Sequence, residues 1–176
     1  GRWNKLIRGR DTADTSIEVS GTKKLFVSQT VVSYPLEAPK KTFQGFSIER
    51  RWYDADGNAI TSSNFKTGDF VIVRLWVTAD QRSPDALVVD MLPAGFELEN
   101  PALKYATPLS SFLIDGKQIS PVDGYYSQVN NQEYRDDRFV TAVDLRKGST
   151  LALTYVMRAV TPGRYQVPSS FVEDMY

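Results

Sequence analysis

The chain has 176 residues, 41% apolar and 24% charged, a globular balance that excludes a disordered chain. Its 21 basic and 21 acidic side chains cancel, so no net field recruits nucleic acid. It has no cysteine and no histidine, which excludes disulfides, thiolate nucleophiles, Cys/His zinc sites and a Ser-His-Asp triad.

The opening "GRWNKLIRGR" sets Arg2, Lys5, Arg8 and Arg10 around Trp3. A nucleic-acid or membrane contact is one reading, a solvated face the other. The second is preferred, because no basic stripe follows. "KKLFVSQTVVSYP" (Lys23–Pro35) reads as a strand ended by proline. "SYPLEAPKKTFQG" then reads as a linker or inter-domain crossing, on its two prolines and two lysines. Residues 1–40 are therefore expected to be a partial element and residues 41–176 the main domain.

"GFSIERRWYDADGNAI" predicts a strand over Phe46–Tyr53 and a hairpin turn at Asp56-Gly57. "DADGN" is also tested as a calcium loop. Such a loop needs glycine at its sixth position and glutamate at its twelfth. Counting from Asp54, those places fall elsewhere, with Phe65 at the twelfth, so the turn is preferred. "GDFVIVRLWVTAD" puts Val71, Val73, Leu75 and Val77 on one face. Phe70, Ile72 and Trp76 share the other with Arg74, the pattern of a central strand.

"ALVVDMLPAGFEL" predicts a strand over Ala86–Leu92 and a turn at Pro93-Ala94-Gly95. "FLIDGKQI" predicts a hairpin with Asp115-Gly116 at its tip. "YRDDRF" (Tyr134–Phe139) offers Asp136 and Asp137 as a carboxylate pair. Glycoside hydrolysis needs two carboxyl groups on one cleft face. Neighbours on a strand point oppositely, so each aspartate is expected to pair with an arginine across a strand. "DRFVTAVDL" (Asp137–Leu145) reads as a strand with poorer alternation. "STLALTYVMRAVTPGRYQVP" predicts a long strand over Leu151–Val160, a Pro162-Gly163 turn and a last strand over Arg164–Val167. A strand that long is expected to bend or serve two sheets. "SSFVEDMY" reads as a tail beyond the last strand.

These elements predict an all-β antiparallel β-sandwich. No cofactor or metal is expected. No apolar run reaches the roughly 18–20 residues of a membrane-spanning helix, and no signal peptide is seen. The chain is expected to have been cut from something larger at both ends. Trp52, Trp76 and the tyrosines could instead line a sugar-binding face, although in a sandwich such residues more often serve as core or edge cover.

Three stretches, in order, resemble the C-terminal end of bacterial α2-macroglobulins. They are "DALVVDMLPAGFELENP" (Asp85–Pro101), "YRDDRFVTAVDL" (Tyr134–Leu145) and "LTYVMRAVTPGRYQVPSSFVEDMY" (Leu153–Tyr176). Upstream, "FSIERRWYDADG" and "TGDFVIVRLWVTA" are similar to the start of the family's last macroglobulin-like domain. The resemblance spans about residues 41–176. It implies a receptor-binding-like sandwich with no active site, belonging to a periplasmic, lipid-anchored protease trap. In that family a protease cuts a bait region, and a thioester in a helical domain captures the attacker. The thioester domain is inserted in a CUB-like β-domain. Residues 1–40, with "SIEVSGTKKLFVSQTVVSYP", look like the return through it.

The resemblance further implies that the last domain packs on the thioester domain and keeps the bond dry. "VEDMY" is similar to the family's terminal V-E-x-M-Y, which makes Met175 and Tyr176 the thioester-shielding residues. Methionine suits an irregular apolar contact. The other reading packs Phe171, Val172 and Met175 on their own domain. The implied partners are the parent's thioester domain, target proteases and, by analogy, a penicillin-binding protein. A secreted carbohydrate-binding or adhesion module and an enzyme using Asp136 or Asp137 remain as alternatives.

Overall fold

The computed structural model describes residues 16–21, 38–43, 45–101, 103–124 and 128–175, with the backbone alone for 38–43 and 128. The basic opening, the strand expected over Lys23–Pro35 and Tyr176 lie outside the described residues.

In chain order the strands are β1 (Ser16–Ser20), β2 (Ala38–Phe43), β3 (Phe46–Tyr53), β4 (Asn64–Lys66) and β5 (Phe70–Ala79). Next come β6 (Ser83–Met91), β7 (Phe96–Leu98), β8 (Leu113–Ile114), β9 (Lys117–Gln118) and β10 (Val122–Asp123). The last are β11 (Gln128–Arg135), β12 (Arg138–Leu145), β13 (Thr150–Ala159), β14 (Gly163–Gln166) and β15 (Ser170–Asp174).

Two antiparallel layers make the sandwich. One runs β10-β13-β5-β3-β2, with β7 also on β13; the other runs β11-β12-β6-β15. Between them lie Val71, Val73, Leu75 and Val77 of β5 and Leu151, Leu153 and Met157 of β13. Facing these are Ala86 and Val88 of β6 and Phe139, Val143 and Leu145 of β12. Phe139 stacks on Tyr155 at 4.8 Å. The period-2 pattern is thus obeyed in both layers.

β5 is central, as its two apolar faces predict. Its outer face is apolar because Ile72 and Val156 are roofed by Phe112, Ile114 and Ile119 around the β8–β9 hairpin. That hairpin turns at Asp115 (φ 52°) and Gly116 (φ 73°), the left-handed pair a tight two-residue turn demands. β13 does not divide between sheets. One edge pairs with β5 throughout, and the other is shared by β10 and β7.

A third sheet, β14-β1-β4, closes one end. It brings Phe65 against Trp52 and Phe96, with ring centroids 6.1 and 5.4 Å apart. Ile17 and Val19 join the same core. The boundary expected between residues 40 and 41 falls inside β2, so the stretch read as a linker holds a strand. Pro39 is tolerated there because β2 is an edge among the described residues, with a register shift between Ala38 and Lys41.

Two expectations are corrected. Asp136 and Asp137 form the turn between β11 and β12 rather than part of a strand. β14 is not the last strand, because "SFVED" adds β15 to the edge of β6. Its alternation is weak as a signal, with Val172 the one apolar side chain it buries.

Candidate functional site

β15 pairs antiparallel with β6, with Ser170 opposite Asp90, Phe171 opposite Val89, Val172 opposite Val88 and Glu173 opposite Leu87. Ser170 and Val172 face the core, while Phe171 and Met175 are exposed (37% and 49%). Met175 follows the strand, and its N–H donates to the Asp85 carbonyl at 3.1 Å. The backbone is therefore held up to the methionine while its side chain stays available. Of the expected shielding pair, Met175 stands at this edge and Tyr176 lies outside the described residues. Of the three side chains considered for self-packing, Val172 alone is buried.

Beneath β15 lies a polar cluster that sequence reasoning missed. Asp90 is fully buried. Its Oδ1 accepts from Arg50 Nη1 and from Ser170 Oγ, both at 2.7 Å, and its Oδ2 accepts from the Tyr155 hydroxyl at 2.6 Å. The donors come from β3, β15 and β13, so both layers meet on one carboxylate. Burial first, then the charge of Asp90 and the bond to it, hold the Tyr155 hydroxyl well above its ordinary pKa of 10.0; Arg50 pulls the other way. The signal was there to find: Asp90 stands at an inward parity within "ALVVDML", as Arg50 does within "FSIERRWY".

The other candidates fall apart geometrically. Asp54 Oδ1 accepts the N–H groups of Asp56 and Asn58, both at 2.9 Å, which makes the "DADGN" loop a hydrogen-bonded turn. Gly57 (φ 83°) closes it, and a Cβ there would stand 2.0 Å from the Leu113 carbonyl oxygen. Among the described residues no acidic cluster could hold a metal ion. Asp137 pairs with its chain neighbour Arg138 (2.9 Å), and Arg135 with Glu133 two residues back (2.8 Å), not across strands. That hydrogen bond to Arg138 holds the Asp137 carboxyl below its ordinary pKa. Trp52 is core, 3% exposed. Trp76 lies under two guanidinium groups, Arg51 and Arg74, each 5.3 Å from its ring centroid. Neither tryptophan offers a bare ring for a sugar.

Comparison with known proteins places the chain in a family. Residues 45–176 match the model of the bacterial α2-macroglobulin MG10 domain. An α2-macroglobulin of Xylella fastidiosa is 41% identical over 157 residues, covering 89% of this chain and 9% of that protein. One from Escherichia coli K12 is 40% identical over 175 residues, 98% of this chain and 10% of that protein. The chain thus spans about a tenth of the length of the curated relatives it matches. The solved structure of E. coli α2-macroglobulin activated by porcine elastase aligns at a TM-score of 0.69 with 40% identity, over 81% of this chain and 12% of that one. The chain belongs to the bacterial α2-macroglobulin MG10 domain family.

Proposed function

We propose that this chain is the non-catalytic C-terminal module of a bacterial α2-macroglobulin, and that it covers the parent's thioester before activation. The module packs on the helical thioester domain, with Met175 and then Tyr176 at the contact. Shielding has a direct physical basis, since an acyl electrophile persists only where water and amines are kept out. The observation that carries the reading is Met175 itself, exposed at the end of a strand whose backbone is held up to that residue. Exposed Phe171 on the same side of β15 extends the apolar surface.

The parent would trap proteases. Support comes from the E. coli relative, which was solved activated by porcine elastase. Residues 1–40 would carry the return through a CUB-like domain, and the parent would be periplasmic and lipid-anchored. A penicillin-binding protein is a further partner by family analogy. The test is Met175→Ala in the parent protein, followed by release of the thioester thiol in methylamine. At least about tenfold faster release is expected, which corresponds to losing about 1.4 kcal/mol of apolar cover. An unchanged rate would overturn the shielding role.

A further inference from the structure

Asp90 and Ser170 pose a question of register. Among the described residues β15 is an edge strand of five residues, paired with β6 on one side. Register is specified where one face is buried, but a shift of two residues preserves which side chains face in. One such shift is benign to the apolar pattern. It would place Ser170 opposite Val88 and Val172 opposite Ala86, both acceptable inner neighbours. Asp174 would move out beyond Ala86, toward Pro84 and solvent. Hydrophobic patterning alone therefore does not choose between the two alignments.

The buried carboxylate does choose. In the observed alignment Ser170 Oγ donates to Asp90 Oδ1 at 2.7 Å, alongside Arg50 Nη1. In the shifted alignment Pro168 would face Asp90, and its side chain has no donor. A buried charged acceptor that loses a donor is penalised far more than an exposed one. Fixing register is the best-attested use of a buried polar residue.

We infer that the Ser170–Asp90 hydrogen bond is the register pin of the terminal strand, and that it sets where Met175 is presented. A two-residue shift would carry Met175 roughly 7 Å along β6, at about 3.4 Å per residue. That distance is more than a methionine side chain can recover. Ser170 and Asp90 are thus positioning residues for the shielding tip. This last consequence rests on the shielding reading; the register itself does not.

The chain has no cysteine, so register can be read by disulfide trapping. Phe171→Cys with Val89→Cys reports the observed alignment, and Phe171→Cys with Leu87→Cys reports the shifted one. Directly opposed positions on antiparallel strands lie within disulfide reach. In the otherwise unaltered chain, oxidation is expected to trap the 171–89 pair at least about tenfold over the 171–87 pair. Adding Ser170→Ala should shift that ratio about tenfold toward the 171–87 pair, and Ser170→Thr, which keeps the hydroxyl, should restore it. Without the cysteine pairs, Ser170→Ala should also speed amide exchange at Val172 and Glu173 while β5 and β13 keep theirs. A ratio unmoved by Ser170→Ala, or moved as far by Ser170→Thr, overturns the register pin. Neither result touches the shielding role, which the methylamine experiment decides alone.

Discussion

Arg50 and Asp90 come from opposite layers and meet at 2.7 Å, with 6% and 1% of their side-chain surfaces exposed. Each would be costly to bury alone. Together with Tyr155 and Ser170 they make a satisfied group, although Arg50 Nε itself finds no acceptor. The guanidinium lies 5.7 Å from the Trp52 ring centroid. Removing one partner strands the other: Asp90→Ala is expected to cost about 3–5 kcal/mol. Urea unfolding measures it. A loss below about 1 kcal/mol would show that water reaches the cluster.

Alkaline pH should weaken the fold through Tyr155. Its folded pKa is raised, so its contribution is whole below pH 10.0 and is lost as pH rises through the folded value. In that window the unfolded chain gives up a proton that the folded chain keeps. Stability then falls by up to about 1.4 kcal/mol per pH unit from this one group. Tyr155→Phe should flatten the alkaline limb while lowering stability at neutral pH, because Asp90 loses a donor. Unfolding curves from neutral pH to about pH 11 separate the two effects. An alkaline slope identical in both proteins would remove Tyr155 as its source.

Deleting Ser169–Tyr176 should destabilise the domain by about 2–5 kcal/mol, since it removes buried Val172, the Ser170 bond and the cover on the edge of β6. A thermal melt compares the two chains. A midpoint that does not move would mean that β15 is not held on β6 in solution.

The two tryptophans should behave oppositely. Trp52→Ala opens the core beside Phe65 and Phe96 and is expected to cost about 3–5 kcal/mol. Trp76→Ala removes a half-buried ring between two arginines and should cost about 1–2 kcal/mol. Glycan binding that is lost in a folded Trp76→Ala chain would instead revive a carbohydrate-binding role.

Much of this was legible in the sequence. Val71 to Val77 alternate against the apolar Ile72, and Asp115-Gly116 announces its turn. Those signals come from side-chain period and backbone freedom, which are local. What stayed hidden is relational. Nothing local in "SSFVEDMY" says that Ser170 meets Asp90, because the bond joins residues far apart in the chain and β15 buries a single apolar side chain. The reading of Asp136 and Asp137 failed for a related reason. Their neighbours alternate like a strand on both sides, and a two-residue aspartate turn lacks the glycine that usually marks one. The expectation for Met175 rests on resemblance alone, since physical pattern could not tell an exposed methionine from a buried one.

The small end sheet carries a consequence for how the chain folds as it is made. β1 needs β14 as its antiparallel partner, with Val19 opposite Gly163, and these segments lie far apart in the chain. Its other partner, β4, aligns parallel and emerges much earlier. Loop closure over so long a stretch is slow, and contacts of that span form late. During synthesis Ile17 and Val19 must therefore wait, apolar and half-paired, until β14, far downstream, has left the ribosome. A translational pause before β14 would prolong that exposure and raise the demand for chaperones.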